Sequence, residues 1–134
     1  MATRSKNLLA LRPEISALKI NETMSADELF QNKTLRPIIK LQHNLLIAVF
    51  KNYIALRKNV FYNLTLEKQL AYIDNAITKD IKFRNSVKGL IMGQFTVEEY
   101  ARYTTNASAI NKRIMSIIKE RLVSNIQVFT VPKD

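Results

Sequence analysis

Apolar residues return every three or four positions along most of this 134-residue chain. That is the spacing of helices that bury one side. Two glycines and three prolines leave little of the punctuation that hairpins and sheets need. The longest expected helix covers residues 35–58. At 100° per residue, Ile38, Leu41, Leu45, Leu46, Val49, Tyr53 and Leu56 share its broad apolar side, extended by Ile39 and Phe50. Arg36, Lys40, His43, Lys51 and Lys58 share the opposite side, with Ile47 and Ile54 in the same projection.

Helix starts are marked by residues that satisfy free amides. Ser25 and Glu28 form a capping-box pattern, as do Thr96 and Glu99. Thr34 is expected to cap the 35–58 helix, with Pro37 in its first turn, where a missing N–H costs little. Thr65 opens a helix whose inner face is Leu66, Leu70, Ile73 and Ile77. Asp80 caps the next, which turns Phe83, Val87, Leu90 and Ile91 inward. The breakers in TTNAS, 104–108, precede a last helical stretch of about 107–129, lined by Ile110, Ile114, Ile117, Ile118, Leu122 and Ile126.

The first 24 residues read differently. Leu8, Leu9 and Leu11 suit one helical turn that Pro13 ends, and Ile15, Leu18 and Ile20 suit an irregular strap packed on the body. The fold expected is all-α: a compact bundle of about five helices with an irregular N-terminal segment. Residues 1–24 form that segment and residues 25–130 a single helical domain. The 35–58 helix is expected at its centre.

Both glycines fall in KGLIMGQFTVEEY, at Gly89 and Gly93. A P-loop needs Gly-Lys-Ser/Thr after a strand, which this stretch lacks. A membrane GxxxG pair needs an apolar 20-mer, and Lys82, Arg84 and Lys88 flank this one. A helix-turn-helix would put Glu98 and Glu99 at the leading end of the reading helix, against phosphates. The structural reading is that Gly89 lets another helix cross closely and that Gly93 stops its own helix.

Charge changes the picture of partners. The chain carries 21 Lys and Arg against 11 Asp and Glu, for a net +10. That balance favours anionic partners. Lys82, Arg84 and Lys88 add a second basic region to the stripe of the long helix, so the candidate anion- or partner-binding set is Arg36, Lys40, His43, Lys51, Lys58, Lys82, Arg84 and Lys88. No RNP-like aromatic motif accompanies it. The longest apolar run, LLIAVF, is far short of the roughly 20 residues of a membrane span. No leader is read at the N-terminus, so a cytoplasmic location is expected.

Catalytic chemistry finds few components. There is no cysteine and one histidine, so thiolate chemistry and two-histidine metal motifs are excluded. Glu98 and Glu99 are adjacent and diverge by about 100° on a helix. No enzyme activity, metal or cofactor is expected. Arg121 and Asn125 interrupt the last apolar face, and a buried guanidinium needs an acceptor. Asp74 and Glu99 are the acids expected to pair with Arg121, the alternative being that its stem packs while its head reaches water.

The stretches QNKTLRPI and GQFTVEEY resemble a family of small, uncharacterised helical bacterial proteins, with a likeness running from about Leu8 to Phe129. Some of its members carry the label glyoxalase. That label implies paired βαβββ modules and His/Glu metal ligands, which one histidine and helical spacing throughout do not supply. The resemblance brings no site residues and no substrate. The function expected is a non-catalytic cytoplasmic interaction protein that binds a protein partner, or itself as a homodimer, through helix faces. The alternative is a nucleic-acid- or ribosome-associated accessory protein using its basic faces on phosphates.

Overall fold

A computed structural model describes residues 2–14 and 23–131. Every regular element among them is helical. Helix α1 is Ala2–Leu11. Helix α2, Ala26–Phe30, runs through a π-turn, Gln31–Leu35, into α3, Arg36–Leu41. Helix α4 is His43–Ala55, followed by a 3₁₀ turn at Val60–Asn63. Then come α5 (Leu66–Thr78), α6 (Ile81–Met92), α7 (Val97–Thr104) and α8 (Ala107–Ser124), with a last 3₁₀ turn at Ile126–Val128. The all-α class holds, with more helical segments than the five expected.

The capping residues act as their chemistry requires. Ser25, Thr65, Asp80 and Thr96 each accept an amide three residues on, at 3.1, 3.3, 3.2 and 3.1 Å. Glu99 completes the capping box by accepting the Thr96 amide at 2.8 Å. Each such cap is worth about 1 kcal/mol.

Thr34 is not a cap. It lies buried inside the π-turn, where the Arg36 amide reaches back five residues to the Gln31 carbonyl. Pro37 explains the wider turn: it has no N–H to give, and its ring would crowd the carbonyl four residues earlier. The 35–58 helix also divides. The backbone departs from helical values at Gln42 (φ −87°, ψ 6°), whose side chain donates to the Leu90 carbonyl at 2.9 Å. The helix ends at Ala55, and Lys58 and Asn59 follow with positive φ.

The buried sides keep Leu46, Phe50 and Tyr53 of the row expected in α4 and Ile73 and Ile77 of the row expected in α5, and leave other expected members outside. In α4, Leu46, Phe50, Tyr53 and Ile54 are buried while Leu45 and the following Leu56 are exposed. In α5, Ile73, Ala76 and Ile77 face inward and Leu66 and Leu70 face out. The cause is aromatic bulk. Phe50 sits within 5.0–6.2 Å, ring to ring, of Tyr53, Phe61, Tyr72, Phe83 and Phe129. Orienting Phe50 to that cluster turns Ile54 inward and Leu45 outward.

The helix around which the others gather is α8, not the expected 35–58 segment. It packs against α5, α6, α3, α7 and the π-turn. Ile110, Ile114 and Ile118 on its inner face are fully buried, each worth about 1.5–3 kcal/mol. Gly89 marks no helix crossing: a Cβ placed there meets nothing within 4 Å. Gly93 does end α6, in a right-handed conformation at φ −62°.

The N-terminal segment carries more order than one turn. Helix α1 ends just before Pro13 and is held by arginines rather than by its leucines, two of which are exposed. Arg4 donates to the carbonyls of Phe95 and Gly93 at 2.9 and 3.2 Å. Arg12 donates to both oxygens of Glu99 at 2.6 Å and to the Gln94 carbonyl at 2.8 Å. Thr34 adds a hydroxyl donor to Glu99 at 3.2 Å. The strap expected from Ile15, Leu18 and Ile20 lies outside the described residues.

Burial by itself would raise the Glu99 carboxyl. The Arg12 hydrogen bonds and charge, the Thr96 amide and the Thr34 hydroxyl outweigh it and hold the group below its ordinary value. A carboxyl lowered in the folded state stabilises the fold above its unfolded value, and that stability is lost as pH falls through the lowered one. Glu99→Gln is expected to lose about 3 kcal/mol in urea unfolding at pH 7, since it strands a buried guanidinium. The loss should shrink as the wild type is titrated below about pH 4.5.

Candidate functional site

The outer face of α8 is polar at helical spacing. Lys112, Ser116, Glu120 and Ser124 fall four positions apart, with Arg113 beside them, so they form one stripe along the helix, and Arg121 projects from the edge of the apolar face toward its end. Three cavities follow this stripe. The first, about 310 Å³, lies against α5 and α6 and is lined by Asp74, Arg84, Lys112 and Lys119. The second, about 540 Å³, shares Lys112 and Ser116 with it and adds Gln31, Arg36 and Arg113. The third, about 180 Å³, shares Arg36 and Glu120 with the second and ends at Arg121, Ser124 and Asn125. Shared lining residues set the three side by side as a grooved surface along α8, bordered by α5 and α6 on one side and by the π-turn and α3 on the other.

Six cations line it: Arg36, Arg84, Lys112, Arg113, Lys119 and Arg121. Only Asp74 and Glu120 oppose them. Asp74 is taken by Lys119 at 2.7 Å. Arg113 is steadied by the neutral Gln31 side chain at 2.9 Å, and Arg36 by Asn32 at 3.3 Å. Neutral acceptors fix these arginines without cancelling their charge. The groove can therefore attract an anion along its length.

Arg121 closes the groove, and it pairs with neither acid expected of it. Glu99 belongs to Arg12, and Asp74 to Lys119. Arg121 Nη1 instead lies 3.2 Å from His43 Nδ1. Arginine can only donate, so Nδ1 is the acceptor and the imidazole proton sits on Nε2. Arg121 Nε is buried without a partner. Burial pulls the guanidinium below its usual basicity; Glu120 opposes this, and the nearby Arg36 charge adds to it. Asn125 folds back to cap the Arg121 carbonyl at 2.7 Å, which ends α8.

The remaining sequence-derived candidates do not converge. Of the long stripe, Arg36 lines the groove and His43 reaches it through Arg121. Lys40 is exposed beside the Glu14 carbonyl, Lys51 lines a separate cleft, and Lys58 sits in the turn after α4. Arg84 reaches the opposite end of the groove, while exposed Lys82 and half-buried Lys88 line none of it. Ile54 is fully buried and Ile47 half-buried, so the expected basic face with exposed apolar residues does not exist. Lys112, Arg113 and Lys119 were missed. Their signal was present: cations and serines recurring on the polar side of the last helix.

A second polar cluster tests poorly as chemistry. Tyr53, Arg57, Tyr72 and Asp80 line a cleft of about 340 Å³. Tyr53 donates to Asp80 at 2.8 Å, and Arg57 lies over the Tyr53 ring and pairs with Asp80 at 3.0 Å. Burial, then the Asp80 hydrogen bond, push the Tyr53 phenol up to about 12. The Phe83 amide, then the Tyr53 hydroxyl, outweigh partial desolvation and hold the Asp80 carboxyl below its ordinary value. Neither group exchanges protons readily near neutrality. The cluster joins the end of α4 to the start of α6.

Comparison with known proteins adds no assignment: no family model, no curated protein and no solved structure matches this chain. Among the described residues no group of three His, Asp or Glu stands close enough to hold a metal, and no helix is long and apolar enough to cross a membrane.

The phenol raised in the folded state stabilises the fold below its unfolded value of 10.0, and that stability is lost as pH rises toward about 12. Ultraviolet titration of the tyrosines should show a late phenolate near pH 12 that Tyr53→Phe removes.

Proposed function

We propose that this chain is a non-catalytic binding protein whose α8 groove follows the phosphate backbone of a nucleic acid. The observation that carries the reading is a row of three adjoining cavities along α8 lined by six cationic side chains and two acids, one acid being paired with one of the six, Lys119. No aromatic ring lines it, so bases have nothing to stack on. Recognition is then of charge and spacing rather than of sequence. The net charge of +10 speeds the encounter from a distance.

Fluorescence anisotropy with labelled RNA and DNA of unrelated sequences checks it. Binding should be sequence-tolerant and fall steeply with salt, with a log–log slope of about −3 for roughly four phosphate contacts on a single strand. Lys112→Ala should weaken every sequence alike and reduce that slope by about one. No binding at low salt, or binding indifferent to Lys112, would remove the reading.

A second reading, a protein partner or a second copy docked on a helix face, is favoured by one observation. Leu66 and Leu70 stand four positions apart on α5, 60% and 37% exposed. Sedimentation at rising concentration should then show association that Leu66→Lys abolishes. A chain that stays monomeric removes the self-docking form of this reading.

A further inference from the structure

Four acid–base pairs form among the described residues: Arg12–Glu99, Arg57–Asp80, Arg102–Asp27 and Lys119–Asp74. Arg121 belongs to none of them. A half-buried guanidinium without a paired carboxylate is costly, because the desolvation is only partly offset by the nearby Glu120 charge. The surroundings make it worse. Arg36 faces Arg121 across the smallest cavity of the groove, and like charges repel. Among the described residues His43 is the one side chain within hydrogen-bond reach, and it is neutral when it accepts. Glu120 stands exposed at the rim and comes no closer than the ion-pair limit of 4 Å.

The cavity between the two arginines measures about 180 Å³ and is lined mainly by polar groups. Pockets for drug-sized ligands run from roughly 300 to 1,000 Å³. This one is smaller, and its size suits a single tetrahedral oxyanion with its water, not a nucleobase with its ribose. Planar guanidinium groups match the oxygens of such an anion two at a time.

We propose that the Arg36–Arg121 pocket is a binding site for one phosphoryl group. Arg121 supplies donors that no carboxylate occupies, His43 holds its guanidinium plane by accepting at Nη1, and Arg36 supplies the second positive charge. The pocket is the terminal subsite of the groove, and the proposal rests on the nucleic-acid reading only for the source of the phosphoryl group. An orthophosphate ion and a terminal phosphomonoester share the chemistry required.

The test uses the full chain. Calorimetric titration with inorganic phosphate, at ionic strength held constant with chloride, should show one ion per chain and a melting temperature that rises with phosphate. Arg121→Met should weaken phosphate binding at least about tenfold while melting no lower than wild type in phosphate-free buffer, since it removes an unpaired cation. Arg36→Gln, at the accessible wall, should also weaken phosphate and serves as the second variant. Lys82→Ala, an exposed cation that lines none of the three cavities, should leave phosphate uptake unchanged. A 5′-phosphorylated oligonucleotide that outcompetes its 5′-hydroxyl twin in the wild type, but not in Arg121→Met, assigns the pocket to a strand end. Equal competition alongside calorimetric uptake assigns it to free orthophosphate.

No phosphate uptake by the wild type, or undiminished uptake by both arginine variants, overturns the proposal. Salt-dependent nucleic-acid binding without phosphate uptake would sink the pocket and keep the groove. Phosphate uptake without nucleic-acid binding would do the reverse.

Discussion

One carboxylate holds three parts of this molecule in register. Glu99 receives two hydrogen bonds from Arg12 beyond the end of α1, one from Thr34 in the π-turn and one from the Thr96 amide at the start of α7. Its oxygens are nearly saturated, and the Arg12–Glu99 side chains are only 7% and 16% exposed. A charge so placed tolerates few rearrangements, because each lost donor leaves part of a buried carboxylate uncompensated. The π-turn cannot slide along the bundle, and α7 cannot change its entry angle, without breaking the same set of bonds.

That constraint reaches the groove through the backbone. Arg36 is the first residue after the π-turn, and its position opposite α8 follows from where Thr34 is anchored. From α7 a short turn leads into α8, the helix with the most neighbours. The inner face of α8 is isoleucine and its outer face is lysine, arginine and serine. The apolar side sets the helix in place, and the polar side then has no freedom about where it points. The cationic lining along α8 is thus a by-product of core packing.

Helix starts were legible because a cap is a local transaction among four residues. Ser25, Thr65, Asp80 and Thr96 each announced a helix correctly. Thr34 looked the same and was not, because its hydroxyl is claimed by a glutamate 65 positions away. Periodicity located α4 and α5 but not which of two adjacent apolar rows faces inward. Both rows contain leucine or isoleucine, and the choice falls to Phe50 and its ring neighbours, most of which come from distant parts of the chain. The basic residues followed the same rule. A stripe drawn on one helix assigned Lys51 and Lys58 to a common face with Arg36, yet the cations that meet Arg36 in space come from α8.

Arg12 and Arg121 make the sharpest comparison. Both place a guanidinium among packed helices, and both leave Nε buried without a partner. Arg12 is compensated by a carboxylate with two bonds at 2.6 Å, and its role is complete within the fold. Arg121 has an imidazole, a neighbouring arginine and a small polar cavity. If stability alone governed the position, a methionine or leucine of similar volume would serve the inner part of the site better, since unpaired buried charge destabilises. Natural sequences carry such local costs where something other than folding uses the residue. The difference between the two arginines is therefore one of compensation: among the described residues Arg12 meets a carboxylate at hydrogen-bond distance, and Arg121 meets only an imidazole there and the more distant charge of Glu120.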